Sequence, residues 1–384
     1  MHVLGISREP AESALSAVVA GTLASVAPAT PFLAIDLDRM QANIARVADA
    51  ATARGIALRP HAKTHKTIEI GRMQVAAGAH GLTVATVGEA EVFAAAGLDD
   101  LFIAFPLWLD ADKAARLSAL TARGAAISIG VDSVEGVERF VHAGLAGRVT
   151  VRVEVDAGHH RSGCAPASAG EVASAAMRAG VDVEGVFAFP GHAYAPGAGA
   201  QAARDEAAAL TIAAESMRTA GVAPQVISGG STPSFVAALE VPSPVTELRP
   251  GVTIFGDAQQ WELGSIDPGQ IALTCHATVV SHAGGRLVLD AGSKVLGPDR
   301  APWATGHGRL LDHPDARIVQ LSEHHAIVEL QEDVALPALG SMVRVVPNHA
   351  CIAVNMVDEM VVYDRAGDLE PSAQWSVAAR GRNH

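Results

Sequence analysis

Strand-like segments alternate with helix-like segments between residues 57 and 251, and this alternation constrains the fold more than any other feature of the sequence. The strand-like segments are apolar or β-branched, and Ala-rich stretches with helical spacing separate them, as in repeated βα units. Such strands can close into a (β/α)₈ TIM barrel or form an open doubly wound sheet, and we favour the barrel. Two helical stretches, 110–124 and 133–144, each end on a glycine, the residue that is favoured at the position directly after a helix. The eight candidate strands are 57–63, 81–86, 101–105, 126–131, 149–156, 183–189, 225–230 and 245–251.

A mostly β C-terminal domain is expected after the barrel, because the helical pattern fades beyond about residue 265. An extra strand at 32–37 precedes the first barrel helix and has no place among the eight, so we expect it to pair with the C-terminal strands. Those strands are predicted at 271–280, 286–292, 316–322, 326–331, 342–347 and 360–364.

The expected organisation is therefore α/β, with three parts: an N-terminal arm (1–29), a barrel (38–260) and a β domain (30–37 with 265–384). The segment 14–27 is apolar, but Arg8 is the lone basic residue before it, so we interpret it as a short helix or loose arm rather than a signal peptide.

Composition excludes several classes of function. The formal net charge is -13 and Lys and Arg form no dense cluster, which argues against a nucleic-acid or anionic-membrane surface and favours a small-molecule ligand. No apolar run reaches the roughly 20 residues that a membrane span needs. The cysteines Cys164, Cys275 and Cys351 are odd in number and widely spaced, so we expect no disulfide framework and a cytoplasmic location.

Polar residues that can carry chemistry cluster where the predicted strands end. The loops after the parallel strands of a barrel converge at one rim, where the catalytic groups of such folds lie. The groups expected there are His61, Lys63 and His65 after the first strand, Asp156, His159, His160 and Arg161 after the fifth, His192 and Tyr194 after the sixth, SGGSTP (228–233) after the seventh and RPG (249–251) after the eighth.

Two of these loops have the composition of a phosphate site. Ser231 and Thr232 follow two glycines, so backbone N–H groups and hydroxyls can face one anion, and Gly251 and Val252 offer further amides. Gly–Ser–Thr turns are also common in loops that bind nothing. Barrels of this kind, however, frequently form a phosphate site after the seventh and eighth strands. A phosphate held near Lys63 would match covalently bound pyridoxal phosphate.

Lysine is rare in this chain, and two of its four lysines, Lys63 and Lys66, lie within four residues. A single lysine is ordinarily solvated. In an extended strand, however, Lys63 would share one face with His61 and His65. We therefore expect Lys63 to be the catalytic lysine and Lys66 to be solvated in the next helix.

The sequence PNHAC (347–351) places His349 and Cys351 two residues apart, so in an extended segment both side chains would face the same way. An imidazole and a thiolate suit zinc, and two protein ligands would leave positions open for water or substrate, as in a catalytic site. Such a pair also occurs in protein cores, because cysteine is often buried.

Together these motifs resemble the fold-type III pyridoxal-phosphate enzymes, specifically the metal-dependent family of D-serine dehydratase, D-threo-3-hydroxyaspartate dehydratase and D-threonine aldolase, whose barrel is alanine racemase-like. The resemblance extends from ATPFLAIDLDRMQANI (29–44) to SVAARG (376–381). The motifs that carry it are LRPHAKTHK, EVDAGHHRSG, GHAY, SGGSTP, ELRPGV, LDAGSK and PNHAC.

The resemblance implies roles for individual residues. Lys63 would hold the cofactor covalently, and Arg249 would face its pyridine nitrogen. His349 and Cys351 would bind a divalent metal, with zinc preferred and manganese or magnesium as alternatives. The phosphate would be held by Ser231, Thr232, Gly251 and Val252, and the pocket would be lined by Arg161, His192 and Tyr194.

The resemblance further implies a lyase that acts on D-β-hydroxy-α-amino acids. Dehydratases of the family carry His-x-Cys where aldolases carry His-x-Asp, so this chain favours dehydration of a substrate like D-serine, D-threonine or D-3-hydroxyaspartate to a 2-oxo acid and ammonia. Retro-aldol cleavage to glycine and an aldehyde is the alternative, followed by amino-acid racemisation and non-catalytic cofactor binding. The segments EHHAI (323–327) and GDAQQW (256–261) depart from the family pattern. We expect a homodimer, which is frequent in the family.

Overall fold

The computed structural model describes residues 28–384 except 366 and 369. The predicted arm (1–29), including the apolar segment 14–27, lies outside the described residues apart from its last two positions. Within the described part of the chain, no helix combines the length and the apolar character that are needed to cross a membrane.

The described residues form two β-sheets, one parallel and one mostly antiparallel. In chain order the strands are β1 (Phe32–Asp36), β2 (Ala57–Leu58), β3 (Leu82–Val84), β4 (Asp100–Pro106), β5 (Ala126–Val131), β6 (Thr150–Glu154), β7 (Asp182–Phe187), β8 (Val226–Gly229), β9 (Glu247–Leu248), β10 (Leu273–Ser281), β11 (Leu287–Leu289), β12 (Gly308–Leu310), β13 (Arg317–Leu321), β14 (Ala326–Glu329), β15 (Met342–Pro347), β16 (Glu359–Tyr363) and β17 (Ala373–Ser376).

The parallel sheet contains eight strands of the described chain, in the order β2-β9-β8-β7-β6-β5-β4-β3. The two ends of this order meet, because His61 forms a parallel bridge with Thr83 and the Thr83 N–H donates to the Pro60 carbonyl (2.9 Å). The sheet is therefore a closed ring, and the predicted (β/α)₈ TIM barrel is confirmed.

Two barrel strands are much shorter than the sequence predicts. β2 and β9 contain two residues each, in place of the predicted segments 57–63 and 245–251. Pro60 and Pro250 each follow two residues after the end of their strand. Since proline has no N–H to donate to a ladder, pairing stops early and the chain turns at the barrel rim.

Helices connect the barrel strands and extend into the second sheet. The predicted helices 110–124 and 133–144 are confirmed as α4 and α5, and the side chains of Asp110 and Ser133 cap their first turns. In chain order the helices are α1 (Leu37–Thr52), α2 (Ile68–Ala76), α3 (Val87–Ala95), α4 (Ala111–Ala122), α5 (Val134–His142), α6 (Ala169–Arg178), α7 (Gly199–Thr219), α8 (Phe235–Glu240), α9 (Ala258–Glu262), α10 (Ser293–Leu296) and α11 (Ala350–Asn355).

The second sheet joins the early strand to the C-terminal part of the chain, in the order β11-β14-β13-β12-β15-β10-β1-β16-β17. β1 lies antiparallel to β10 and parallel to β16. The predicted mostly β C-terminal domain is confirmed. β12 and β17, of three and four residues, were not predicted.

The barrel interior contains a network of paired charges. Arg152 is fully buried, and its guanidinium lies 2.9 Å from Glu184 and 2.6 Å from Glu247. Arg59 lies 2.8 Å from the second Glu247 oxygen. Burial alone would raise the pKa of Glu247, but Arg152 and Arg59 outweigh burial and hold this pKa at about 2. Each of these ions has a partner, which is the condition under which buried charge is tolerated.

Candidate active site

Lys63 lies on a 3₁₀ turn, Ala62–Thr64, at the rim of the barrel. The extended chain ends before this turn, so the prediction that His61, Lys63 and His65 share one face of a strand is wrong. The Lys63 amine lies 6.0 Å from the centre of the Phe189 ring. Lys63 and His61 line a cavity of about 480 Å³. His65 is instead fully buried and packs edge-on against an aromatic ring of α3.

Lys66 is buried, so the prediction that it is solvated is wrong. It precedes α2, which begins at Ile68, and it does not lie in that helix. Its ammonium lies 2.8 Å from Asn355 Oδ1 and 3.3 Å from Glu89 Oε1. The sequence showed no sign of these partners, because they are 289 and 23 residues away.

The two loops with phosphate-site composition lie side by side, because they follow the neighbouring strands β8 and β9. Ser231 and Thr232 are both buried. The Val252 N–H donates to Thr232 Oγ1 (3.1 Å), which joins one loop to the other. Hydroxyls and backbone amides thus converge from two strand ends, as a phosphate requires.

Gly251 lets the loop after β9 approach the turn that carries Lys63. A Cβ added to Gly251 would lie 2.7 Å from Thr64 Oγ1 and 3.3 Å from His61 Cβ. Such a contact is too close for a real side chain, so the close approach requires glycine at this position. The predicted phosphate loops and Lys63 therefore belong to one site.

Arg249 is buried in the barrel, and its guanidinium donates to the Ser228 hydroxyl and to the Ala188 carbonyl (2.6 Å). The Ser228 hydroxyl in turn donates to Glu247, which ties Arg249 to the buried charge network. Burial lowers the pKa of Arg249 to about 10, against the opposing effect of Glu247. Arg249 therefore remains a cation at neutral pH.

His349 and Cys351 lie at the beginning of a helix: His349 is the N-cap of α11, and Cys351 is in its first turn. The prediction of an extended segment is therefore wrong, although the two side chains still meet. Burial lowers the pKa of the His349 imidazole, but Cys351 and Asp299 outweigh burial and raise it. Burial raises the pKa of the Cys351 thiol, but His349 and Lys63 outweigh it and lower the pKa overall.

The donors of this pair fit a metal ion. An imidazole and a thiol that readily ionises are the ligand types that zinc prefers. His349 Nδ1 lies 2.6 Å from Asp299 Oδ2, as is usual for histidines that bind a metal through the other nitrogen. Among the described residues, no group of three or more His, Cys, Asp or Glu is arranged to hold a metal. Two protein ligands would leave coordination positions free for substrate or water.

Cys351 also contacts the turn that carries the lysine. Cys351 Sγ lies 3.3 Å from Thr64 Oγ1, directly after Lys63 in the chain. Cys351 of α11 thus lies beside the turn that carries Lys63.

Tyr194 lies between these groups. Its side chain is close to Thr232 and Cys351, and burial is the largest cause of the raised pKa of its phenol. Trp303, from the loop after α10, donates its indole N–H to the Tyr194 carbonyl (3.0 Å). Tyr194 therefore contacts the phosphate loop on one side and the second sheet's loop on the other.

Arg161 and His192 lie farther out. The Arg161 guanidinium lies 5.0 Å from the centre of the Phe189 ring and lines the cavity with Lys63. His192 Nε2 lies 3.2 Å from Asp205 Oδ2, and its ring packs against Gly158. These contacts of His192 connect it to α7 rather than to the phosphate loops.

Sequence reasoning missed two carboxylates that contact the His349–Cys351 segment. Asp257 is buried and accepts from the Ala350 N–H (3.1 Å) and the Gln260 N–H (2.8 Å). Its position before α9 is recognisable as an N-cap, but its contact with α11 spans 93 residues. Asp299 is in an irregular loop, where no spacing indicates a partner.

Two known families match the chain. Residues 35–259 match the family described as "Alanine racemase, N-terminal domain", which covers more than half of the 384 residues. The chain belongs to this alanine racemase family. Residues 272–363 match the "Putative serine dehydratase domain". Lys63 lies in the first match, and His349 and Cys351 lie in the second.

Characterised relatives include both a dehydratase and an aldolase. D-threo-3-hydroxyaspartate dehydratase of Delftia sp. (strain HT23) is 33% identical over 347 residues, which are 84% of this chain and 90% of that protein. D-threonine aldolase of Arthrobacter sp is 33% identical over 374 residues, which are 92% and 93%. A solved structure of D-threo-3-hydroxyaspartate dehydratase, a metal-free cysteine-to-alanine variant, has a TM-score of 0.82 and 31% identity, covering 94% of this chain and 98% of that one.

Proposed function

We propose that this protein is a pyridoxal-phosphate- and metal-dependent lyase that converts D-β-hydroxy-α-amino acids into 2-oxo acids and ammonia. The observation that carries the proposal is the meeting of Lys63 and the His349–Cys351 pair across Thr64, whose hydroxyl lies 3.3 Å from Cys351 Sγ. Lys63 can move the α-proton, and the His349–Cys351 pair can hold a Lewis acid. Both can therefore act on one small substrate.

The residues around Lys63 fit pyridoxal phosphate. Buried hydroxyls and amides after β8 and β9 suit its phosphate, and the cavity beside Lys63 leaves room for a substrate. When bound, this cofactor supplies a ring that withdraws electrons from the α-carbon of an attached amino acid. Lys63 would hold the cofactor, and its amine would accept the α-proton of the substrate.

Arg249 shapes the chemistry by keeping its own proton. With a pKa of about 10, its guanidinium does not transfer a proton to a pyridine nitrogen at neutral pH. The ring is then a weaker electron acceptor than one paired with a carboxylic acid. Elimination of a poor leaving group such as hydroxide therefore needs a second source of charge stabilisation.

The His349–Cys351 pair provides the place for that second source. A divalent metal, when bound, stabilises the charge that develops on the departing β-hydroxyl. Asp299 holds the His349 ring through Nδ1, which leaves Nε2 as the ligand nitrogen. We propose zinc, because manganese and magnesium prefer oxygen donors. Loss of water gives an enamine that hydrolyses after release to a 2-oxo acid and ammonia.

The second candidate is retro-aldol cleavage to glycine and an aldehyde. It is supported by the D-threonine aldolase of Arthrobacter sp, which is as similar to this chain as the dehydratase of Delftia sp.. The dehydratase is preferred because of the His-x-Cys form of the metal motif, since a thiolate at this position replaces the carboxylate of the aldolase pattern.

A product assay separates these reactions. The purified enzyme, with cofactor and zinc, is incubated with D-serine, D-threonine and D-threo-3-hydroxyaspartate. We expect ammonia and a 2-oxo acid, with activity lost after chelation and in the Lys63→Ala variant, while Lys113→Ala at the surface retains it. Glycine and an aldehyde would establish the aldolase instead. Inverted amino acid would indicate a racemase, and no product would favour a cofactor-binding protein.

We further propose a cytoplasmic homodimer. A reducing compartment suits the proposal because Cys351 binds a metal only as an unoxidised thiolate. The homodimer is proposed from the family resemblance, and light scattering on the eluting protein measures the mass that tests it.

A further inference from the structure

Lys66 is a buried cation that the proposed reaction does not use. Its ammonium lies 2.8 Å from Asn355 Oδ1, 3.2 Å from Asn383 Oδ1 and 3.3 Å from Glu89 Oε1. An ammonium has three N–H donors, so these three acceptors match its full capacity. A buried lysine is otherwise unfavourable, which indicates that the contacts fix this side chain in one place.

The backbone of Lys66 closes the turn that carries Lys63. Its N–H donates to the Ala62 carbonyl (2.8 Å). Its φ of 51° lies in the left-handed region, which a residue other than glycine adopts only when its surroundings enforce it. The contacts of the ammonium and the backbone hydrogen bonds of Lys66 together fix the end of the Lys63 turn.

Helix α11 meets this turn at two points. Cys351 and Asn355 are four residues apart and so lie on one face of the helix. Cys351 contacts Thr64 (3.3 Å), and Asn355 contacts Lys66 (2.8 Å). Helix α11, which carries Cys351, is thus attached to the chain one and three residues after Lys63.

The segment 379–384 supplies the remaining contacts. The Ala379 N–H donates to the Lys66 carbonyl (3.0 Å), and Asn383 accepts from the Lys66 ammonium. The same segment is anchored at the start of α3, where the Gly88 N–H donates to the His384 carbonyl (2.9 Å). Lys66 therefore connects the Lys63 turn, helix α11 and segment 379–384.

We propose that Lys66 and Asn383 are positioning residues, which hold α11 and its Cys351 against the Lys63 turn and thereby set the affinity for the metal. The inference rests on the proposed function, because it assumes that His349 and Cys351 bind a metal. The role proposed for Lys66 and Asn383 is to position other groups, not to bind the metal or the substrate.

Asn383→Ala is the informative variant, because the Lys66 ammonium keeps Glu89 and Asn355 as partners and no buried charge is left unpaired. Lys66→Met is the stronger change, although it leaves Glu89 buried without its cation. Lys294→Met is the matched control, since Lys294 is an exposed lysine that pairs with Glu323 at the surface.

The cofactor-loaded, metal-stripped enzymes are titrated with zinc in competition with a chromophoric chelator. We expect roughly 10-fold weaker zinc binding in Asn383→Ala, the size seen when outer-shell contacts of metal ligands are lost. We also expect a lower kcat with little change in KM, while cofactor absorbance and the urea unfolding midpoint match those of Lys294→Met. A merely structural role would shift the unfolding midpoint and leave zinc affinity unchanged.

Zinc titrations of wild type and Cys351→Ala separate failure of this inference from failure of the proposed function. If wild type binds zinc through Cys351 and Asn383→Ala and Lys66→Met bind it equally well, the inference fails and the proposed function stands. If wild type binds no zinc through Cys351, both fail.

Discussion

Glu206 is a buried carboxyl group on α7 that fixes the loop after β8, the first of the two loops proposed to bind phosphate. Both of its oxygens accept from the Gly230 N–H (2.9 and 3.0 Å). Gly230 has a φ of 85°, so glycine suits this left-handed position. Burial raises the pKa of Glu206 to about 7, against the opposing effects of the Gly230 N–H and Arg249. The conformation of the loop therefore depends on a group that changes charge near neutral pH.

Glu206 is expected to make the protein less stable as pH rises from about 4.5 to about 7, because its pKa is higher in the folded state than in the unfolded chain. In that interval the carboxyl group is protonated in the folded state and ionised in the unfolded chain. Above pH 7 it is ionised in both states, and the free-energy cost of burying the Glu206 carboxylate remains. Glu206→Gln removes this titration. Urea unfolding at pH 5 and pH 8 should show a smaller loss of unfolding free energy in Glu206→Gln than in wild type. An equal loss in both proteins would refute the assignment.

The loops after β8 and β9 form a phosphate site only if the chain after β9 can approach the Lys63 turn. In Gly251→Ala the added carbon would lie 2.7 Å from Thr64 Oγ1, although the φ of -116° is open to any residue. The loop must move, and we expect roughly 10-fold weaker cofactor binding, equivalent to about 1.4 kcal/mol. Gly269→Ala is the control, because a carbon there meets no atom within 4 Å. Fluorescence titration of the cofactor-free proteins measures both affinities, and equal values would contradict the predicted clash.

The elements of the site were predictable where the pattern is local, and the contacts between them were not. Alternation and glycine-rich strand ends located Lys63, Thr232 and Gly251, because parallel strands bring their carboxyl ends to one rim. The early end of β2 is also local, because Pro60 lies two residues after the strand. The pairing of Asp299 with His349 spans 50 residues between an irregular loop and a helix N-cap, so no periodicity could reveal it.

The residues of the candidate site come from both parts of the molecule, the barrel and the second sheet. Lys63 belongs to the barrel, whereas His349 and Cys351 belong to the helix that follows β15 in the second sheet. The two halves contact each other through Cys351 and Thr64 and through the Trp303 indole and the Tyr194 carbonyl. A metal held by the second sheet beside the barrel lysine would therefore stabilise the folded chain as a whole.

Zinc is expected to raise the unfolding free energy of the cofactor-loaded, metal-stripped protein. A ligand that binds only the folded state adds about 2.7 kcal/mol when its free concentration is 100 times Kd. Cys351→Ala should lose this gain, whereas Cys164→Ala should keep it, because Cys164 pairs with Val155 at the end of β6 in the barrel. Chelation should reverse the gain and leave the absorbance of the lysine-bound cofactor unchanged. An undiminished gain in Cys351→Ala would mean that Cys351 is not a zinc ligand, and the proposed metal pair would be wrong.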